Sequence, residues 1–414
     1  MAKQTLVVIG GGAAGFFCAV NAARLAPNLR VVLLEKSSKL LSKVRVSGGG
    51  RCNVTHHCFS IAEMIQHYPR GAAFLKKAFH HFFTTDTIEW FNKRGVPLKV
   101  EADNRMFPQS NTSETIVQCL MEEANKYQVE ILMNRDVQQL SLKENGWEIH
   151  CKAAPTITCD YVCIATGGFP KLMQFDWIQQ LGHTIETPQP SLFTFNMPGN
   201  PITQLMGVAV EKAMVKINTT KLQAEGPLLI THWGMSGPAI LKLSAHGARL
   251  LAEKNWHFQV SINWAPTFNE GSLKDHFQQV RFQQAAQKVA GRSPIGLPAR
   301  LWQYLVQLSG ISDSLRWADL PAKEQNKLIK NCCAMEAEVK GKTTFKEEFV
   351  TAGGVQLTEV DHFTMESKKA TGLYFAGEVL DVDGVTGGFN FQNAWTTGFL
   401  AAQAIAIKAN EKIN

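Results

Sequence analysis

The sequence predicts an α/β fold: a parallel-sheet domain assembled from both ends of the chain, with a β-rich and helical domain inserted between. Three observations carry this expectation. A strand, glycine turn, helix and second strand open the chain. A short strand with a small-residue exit and a second glycine turn stand near its end, and between about Ser191 and Phe345 such glycine patterns stop. The expected boundaries are 1–190, 191–345 and 346–414. The length of 414 residues, with 45% hydrophobic and 19% charged, suits two or three domains with cores of their own and excludes a solvated, disordered chain.

The first unit can be justified residue by residue. Leu6-Val7-Val8-Ile9 is the apolar, β-branched run of a strand covered on both faces. Gly10 to Gly15 follows, then a helix over Ala14–Leu25 and a strand over Arg30–Glu35. Gly10 permits the tight turn, Gly12 lets backbone approach a pyrophosphate, and Gly15 lets the helix pack closely on the strand. Free N–H groups at the helix start then face the phosphates. Glu35, twenty positions after Gly15, can accept hydrogen bonds from ribose hydroxyls, which favours FAD or NAD over NADP. Strand, motif, helix, strand and acid in that order mark a Rossmann-like dinucleotide site.

Ser47-Gly-Gly-Gly-Arg-Cys-Asn53 follows. Three adjacent glycines are entropically costly in a regular element and make sense where backbone lies against a flat ligand, with Arg51 open to a phosphate. Helices are expected over Phe74–Arg94 and Ser113–Lys126, the second with Asn111 and Glu114 as a capping box. Strands are expected over Val129–Met133, Val137–Leu142, Trp147–Lys152 and Ile157–Ile164, the last leaving through Ala165-Thr-Gly-Gly168. The pattern returns in Gly372–Glu378, and Asp383–Asn390 leads into an alanine-rich helix reaching about Lys408, with Asn390 as its N-cap. In the middle segment, Val208–Ile217, Leu228–Thr231 and the alternating Trp256–Trp264 read as strands, and Pro266–Cys333 as mostly helical.

Charge and cysteine content say less. The excess of 42 Lys and Arg over 35 Asp and Glu gives +7, a weak pointer to anionic partners, an anionic cofactor included. Nine cysteines without a regular framework suit free thiols in a cytoplasmic protein. No apolar run is long enough to span a membrane. The apolar N-terminus is broken by Gly10–Gly12 and is spent on the first strand rather than on a signal peptide. The pairs His56-His57, His80-His81 and Cys332-Cys333 lack matching second ligand pairs, so no metal site is expected.

Together these blocks resemble a family of bacterial FAD-dependent oxidoreductases described as aminoacetone oxidase-like or bile-acid-inducible reductase-like flavoproteins. The resemblance runs over nearly the whole chain. Further blocks carry it: Arg105–Pro108, Thr231–Pro238, Val350–Val355, Phe375–Gly384 and Thr386–Trp395. It implies a flavoprotein of the two-dinucleotide-binding-domain type with bound FAD, the adenine end at Gly10–Gly15 and Glu35 and the isoalloxazine near Gly387–Asn390. The cofactor-binding set it implies is Gly10, Gly12, Ala13, Ala14, Gly15, Glu35, Lys36, Ser47, Gly49, Gly50, Arg51, Cys52, Asn53 and Val137. Ala165, Thr166, Gly167, Gly377, Glu378, Gly387, Gly388, Phe389 and Asn390 complete it. One block departs from the family: Phe169–Trp177 leads more directly to Gly182-His-Thr-Ile185, so a loop near the cofactor differs.

The expected chemistry is hydride transfer between a small organic substrate and flavin N5, with NAD(P)H or oxygen as second partner. His232, before Gly237-Pro238, is the candidate acid–base residue, beside the alternative that His232 and Ser236 only shape and cap a turn. Cys52 is expected to be structural rather than a redox thiol, having no nearby CxxC partner. A flavin-dependent RNA-modifying enzyme and a flavin-binding sensor are the alternatives. The +7 charge and the basic helical insert would allow the RNA-modifying enzyme, but no nucleic acid is expected, because the sequence lacks a clear basic–aromatic stripe. No membrane partner is expected either, and the oligomeric state is left open.

Overall fold

A computed structural model describes residues 3–144, 146–343 and 350–411. The chain divides into two compact units, Met1–Ser191 with Lys346–Asn414, and Leu192–Phe345. The first is built on a five-stranded sheet in the order Leu373–Phe375, Tyr161–Ile164, Thr5–Ile9, Arg30–Glu35, Glu130–Met133. Every pairing in it is parallel. Leu6, Val7, Val8 and Ile9 are all buried, as a strand covered on both faces requires. Full burial of such side chains contributes about 1.5–3 kcal/mol each.

Helix Ala13–Leu25 lies against the long final helix Phe389–Glu411. The two approach closely because Gly398 has no side chain: a Cβ there would stand 2.7 Å from the Ala14 carbonyl oxygen. A small sheet, Thr55–His56 with Arg105–Pro108 and Leu98–Val100, follows the triple-glycine segment and is pinned to the same helix. The Trp395 indole donates to the Val54 carbonyl at 2.9 Å, and the Thr55 hydroxyl donates to Gln392 at 2.6 Å.

Several boundaries differ from expectation. The helix expected over Phe74–Arg94 is two helices, Ala72–Ala78 and Thr84–Asn92. Phe83 turns to extended backbone, and its N–H is taken by the Asp86 carboxylate at 2.7 Å, which starts the second helix afresh. The single strand expected over Ile157–Ile164 is also two. Ile157–Cys159 pairs antiparallel with Gly146–Cys151, whereas Tyr161–Ile164 joins the parallel sheet. Asp160 marks the switch, its carboxylate accepting from the Thr5 N–H at 2.8 Å. Asn111 forms no capping box, and helix Glu114–Lys126 has no side-chain cap. Ser191, expected to open the insert, pairs with Val350 within the first unit.

The second unit is a seven-stranded antiparallel sheet with helices Pro238–Glu253, Glu270–Gln283, Ala299–Leu308 and Ala322–Cys333. Its core is its own, from Phe193 to Val339, and includes Trp264, Trp302 and Trp317. Trp302 satisfies its buried indole N–H on the Val289 carbonyl at 2.8 Å. The strand expected over Trp256–Trp264 runs His257–Asn263, because Asn255 and Trp256 take left-handed backbone and turn the chain first. No helix among the described residues is long and apolar enough to cross a membrane.

Candidate flavin site

Parallel strands place their loops at one edge. Gly10, Glu35, Ala165–Gly167 and Gly377 lie at or directly beyond the carboxyl ends of four of them, where open α/β sheets bind ligands. The turn is built as the motif requires: Gly10 has φ +117°, and a Cβ there would meet the Ala165 carbonyl oxygen at 2.4 Å. At Gly15 a Cβ would come within 1.9 Å of the Gly10 oxygen, so only glycine fits. At Gly12 it would meet nothing within 4 Å. The backbone beside the first turn of helix Ala13–Leu25, which starts with Ala13 and Ala14, is therefore open to a ligand, and the helix start offers its unpaired N–H groups there.

Glu35 uses one oxygen to accept from Gly11 N–H at 2.9 Å and the other from Ser37 N–H and hydroxyl at 2.9 and 2.8 Å. The carboxylate is thereby fixed at the turn, with each oxygen keeping lone-pair capacity. Arg135 N–H bonds the Glu35 carbonyl at 2.8 Å, which carries the chain across this strand end into Val137. Lys36 is exposed, its ammonium 5.8 Å from the Phe169 ring. Beside this end lies an open cavity of about 790 Å³, lined by Lys39, Leu40, Lys43, Arg45, Val46 and Met133 among others.

The triple-glycine segment behaves differently from a plain loop. Helix Ser42–Gly50 is interrupted at Ser47, after which Gly48, Gly49 and Gly50 all take positive φ (58°, 68° and 81°). A Cβ at Gly49 or Gly50 would meet nothing within 4 Å, so this backbone too is bare on one side. Ser47 turns its hydroxyl to the Val44 carbonyl at 3.1 Å and its carbonyl to Cys52 N–H at 3.0 Å. Burial pushes the Cys52 thiol up to about 12, so it is neutral and packed. Arg51, expected to face a phosphate, instead pairs with Glu101 at 2.5 Å and lies 4.1 Å over the Phe107 ring.

Asn53 joins this segment to the C-terminal turn. Its amide oxygen accepts from Gly388 N–H at 2.9 Å, and its nitrogen donates to the Thr55 carbonyl at 3.0 Å. Gly387 and Gly388 have φ of 134° and 92°, and a Cβ on Gly388 would stand 2.5 Å from the Thr55 carbonyl. The final helix begins at Phe389, with Gln392 N–H returning to Gly388 carbonyl at 3.0 Å. Asn390 is therefore not the N-cap. Its amide clasps Gly384 from inside the first turn, accepting from its N–H at 2.8 Å and donating to its carbonyl at 2.9 Å.

His67, Tyr68 and Arg70, which the sequence did not single out, gather with His56 around Phe389 and Asp383. The Phe389 ring stacks with His67 (4.3 Å, 15°) and with His56 (4.6 Å, 29°). Tyr68 hydroxyl donates to Phe389 carbonyl at 2.7 Å. His56 Nδ1 lies 3.0 Å from the Gly387 carbonyl, which can only accept, so the proton is held on Nδ1. Just before the turn, the fully buried Asp383 pairs bidentately with Arg70 and accepts from Ser191 hydroxyl at 2.8 Å. Burial raises the Asp383 carboxyl, with Arg70 and Ser191 pulling the other way. Gly377 N–H donates to Thr397 hydroxyl at 2.8 Å, and Glu378 bridges Lys43 at 2.6 Å and Thr351 N–H at 2.8 Å.

His232 belongs to the second unit. It is exposed at the two-residue turn between Gln223–Thr231 and Gly234–Ser236, its ring edge-on to Trp233 at 4.2 Å. Ser236 ends that strand, and helix Pro238–Glu253 has no side-chain cap, so neither residue caps it. Pro238 does take the first helical position.

The open glycine backbones, the helix start beside Gly12 and the acid at the second strand fit a dinucleotide, and the fold and site define an FAD-binding oxidoreductase. The match of residues 4–404 to the HI0933-like protein Rossmann domain places the chain in that family. It is 31% identical to a ribosomal RNA dihydrouridine synthase of Escherichia coli K12, across 99% of this chain and 100% of that protein. It is 28% identical to a 3-dehydro-bile acid delta(4,6)-reductase of Clostridium scindens, across 96% and 98%. A quinol fumarate reductase of E. coli shares the fold at TM-score 0.52 and 14% identity, covering all of this chain and 71% of that one. A 3-ketosteroid-delta4-(5alpha)-dehydrogenase of Rhodococcus jostii does so at 0.50 and 13%, covering 97% and 98%.

Proposed function

We propose that the protein is a flavin-dependent reductase of a carbon–carbon double bond conjugated to a carbonyl, acting on the uracil ring of RNA. The names of the two relatives above describe reducing such a bond in a bile acid and forming the reduced base dihydrouridine in ribosomal RNA, and both align over nearly their whole length. The observation that carries the choice of RNA is where the charge lies. Residues 192–345 hold 17 Lys and Arg against 10 Asp and Glu, which accounts for the whole +7; the remaining residues balance at 25 and 25. A polyanion is the partner such a unit suits, whereas the residues that would hold FAD belong to the balanced one. This reverses the order of substrate classes expected from sequence.

FAD bound there and reduced by NAD(P)H would supply the hydride for uracil C6, with a proton going to C5. The chain's own residues hold the pieces. Gly10–Gly15 and Glu35 receive the adenosine diphosphate end, and Asn53 fixes the Gly387–Gly388 turn at the ring end. The start of helix Phe389–Glu411 supplies positive potential there. His56 holds a proton at Nδ1 beside that turn.

The test is anaerobic reduction of the purified protein by NADH or NADPH, followed by addition of protein-free ribosomal RNA. Dihydrouridine should appear as a gain of two mass units on specific fragments. If RNA stays unmodified while steroid enones are reduced, the small-molecule reading suggested by the bile-acid relative takes its place. A protein that purifies colourless and cannot be reconstituted with FAD would sink both.

A further inference from the structure

Two segments far apart in sequence meet on the surface of the first unit. Helix Ala72–Ala78 and the turn after it present Lys77 and His81, both exposed. Opposite them, the loop after Val360 presents His362 and Phe363. The Phe363 ring is 50% exposed, with His362 at 4.0 Å and His81 edge-on at 4.9 Å. The loop is built to hold it there. One Asp361 oxygen accepts from Phe363 N–H at 2.8 Å, Thr364 N–H at 2.9 Å and Thr364 hydroxyl at 3.1 Å, while Phe74 backs His362 from beneath. After burial, Lys77 is the largest influence holding the His362 imidazole below its usual range, with Lys368 and His81 acting in the same sense. Lys77 is exposed four residues before His81, and the exposed Lys368, five residues after Phe363, donates its ammonium to the Thr358 carbonyl at 3.0 Å.

We propose that this tip is a docking surface for a single-stranded segment of the RNA substrate, one base stacking on Phe363 and phosphates meeting Lys77 and Lys368. It rests on the reading of the substrate as RNA. Charge complementarity selects the occupant, and it is local: the first unit is balanced as a whole, while this tip brings Lys77, His81, His362 and Lys368 to one face and so adds to the basic second unit's appeal to a polyanion. An exposed ring near cations matches a π-face joined to phosphates; of the two carboxylates in the loop, Asp361 holds one oxygen on the loop's own N–H groups and Glu366 pairs with Lys408 at 2.7 Å. An apolar protein partner would leave the lysines unpaired, and a bilayer would ask for more than one exposed ring.

The experiment is fluorescence anisotropy of a short uridine-rich oligoribonucleotide with the FAD-loaded protein, across salt concentrations. Phe363→Ala should bind about ten-fold or more weakly. Phe363→Tyr should restore binding, and Lys77→Glu should weaken it with a shallower dependence on salt. FAD content and melting temperature should be unchanged in all three. If Phe363→Ala and Lys77→Glu bind as the wild type does, the surface is wrong even though ribosomal RNA is reduced. If wild type neither binds nor reduces RNA, the functional reading fails, and the surface with it.

Discussion

Gly388 is the tightest point of the C-terminal glycine turn. Its φ of 92° is left-handed, and a Cβ would come within 2.5 Å of the Thr55 backbone, which cannot give way without moving the strand that carries His56. Gly388→Val should therefore displace the Asn53–Gly388 bond and the start of the final helix together. An overpacked site of this kind costs about 1–3 kcal/mol. The expected outcome is lower flavin occupancy in the purified protein, read from the ratio of absorbance at 450 nm to that at 280 nm. An unchanged ratio would show that the turn does not hold the ring. Gly387 and Gly388 were legible in the sequence as glycines in need of a reason. Asn53 too was named as a site residue through the resemblance, but its bond to Gly388 was not, nor were the roles of His56 and His67; all three lie more than 300 positions away, and no local pattern connects them.

At the scale of elements, the sequence was most readable where a strand is buried on both faces. Thr5–Ile9 and Arg30–Glu35 announced themselves as apolar runs because nothing on either side is wet. It was least readable where a side chain resets the backbone, as Asp86 does at Phe83 and Asp160 does between two sheets. One further link joins the turn Leu357–Glu359 to the strand Ile185–Ser191. Glu359 accepts from Thr184 N–H at 2.9 Å and Lys369 ammonium at 2.6 Å, and faces His183 Nδ1 at 3.1 Å. Burial alone would raise Glu359, but the hydrogen bonds from Lys369 and Thr184 outweigh it and bring it from 4.5 to about 2. Its stabilisation is thus present above about pH 4.5 and lost as pH falls toward 2. Burial lowers His183 from 6.5, so the folded chain resists its protonation and stability also declines as pH falls below 6.5. The gap in denaturant midpoint between wild type and Glu359→Gln should narrow steadily from pH 5 to pH 2. A gap independent of pH would remove Glu359 from this role.

For the whole molecule, the sequence predicted a cofactor unit made from both ends and a basic insert, but not that the entire +7 falls in residues 192–345, which needs the boundary between the units. The aromatic and basic surface around Phe363 was equally hidden, because a stripe assembled from positions 77–81 and 362–368 is no stripe in one dimension. Because FAD binds only the folded chain, free cofactor must stabilise it: a hundredfold excess over the dissociation constant adds about 2.7 kcal/mol. At about 2–4 °C per kcal/mol, the melting transition should rise by about 5–10 °C, measured by calorimetry on stripped and reconstituted protein. No shift would mean that the open glycine backbones do not take the cofactor.

The strands at the junction of the two units carry a last consequence. Ile185–Ser191 and Val350–Val355 run side by side, and within the second unit Thr194–Asn196 pairs with Lys342–Thr343. Departure from the flavin unit and return to it are thus neighbours, as at the two feet of a single hairpin. Everything between is a cassette that evolution can lengthen, recharge or reshape without cutting one strand of the parallel sheet.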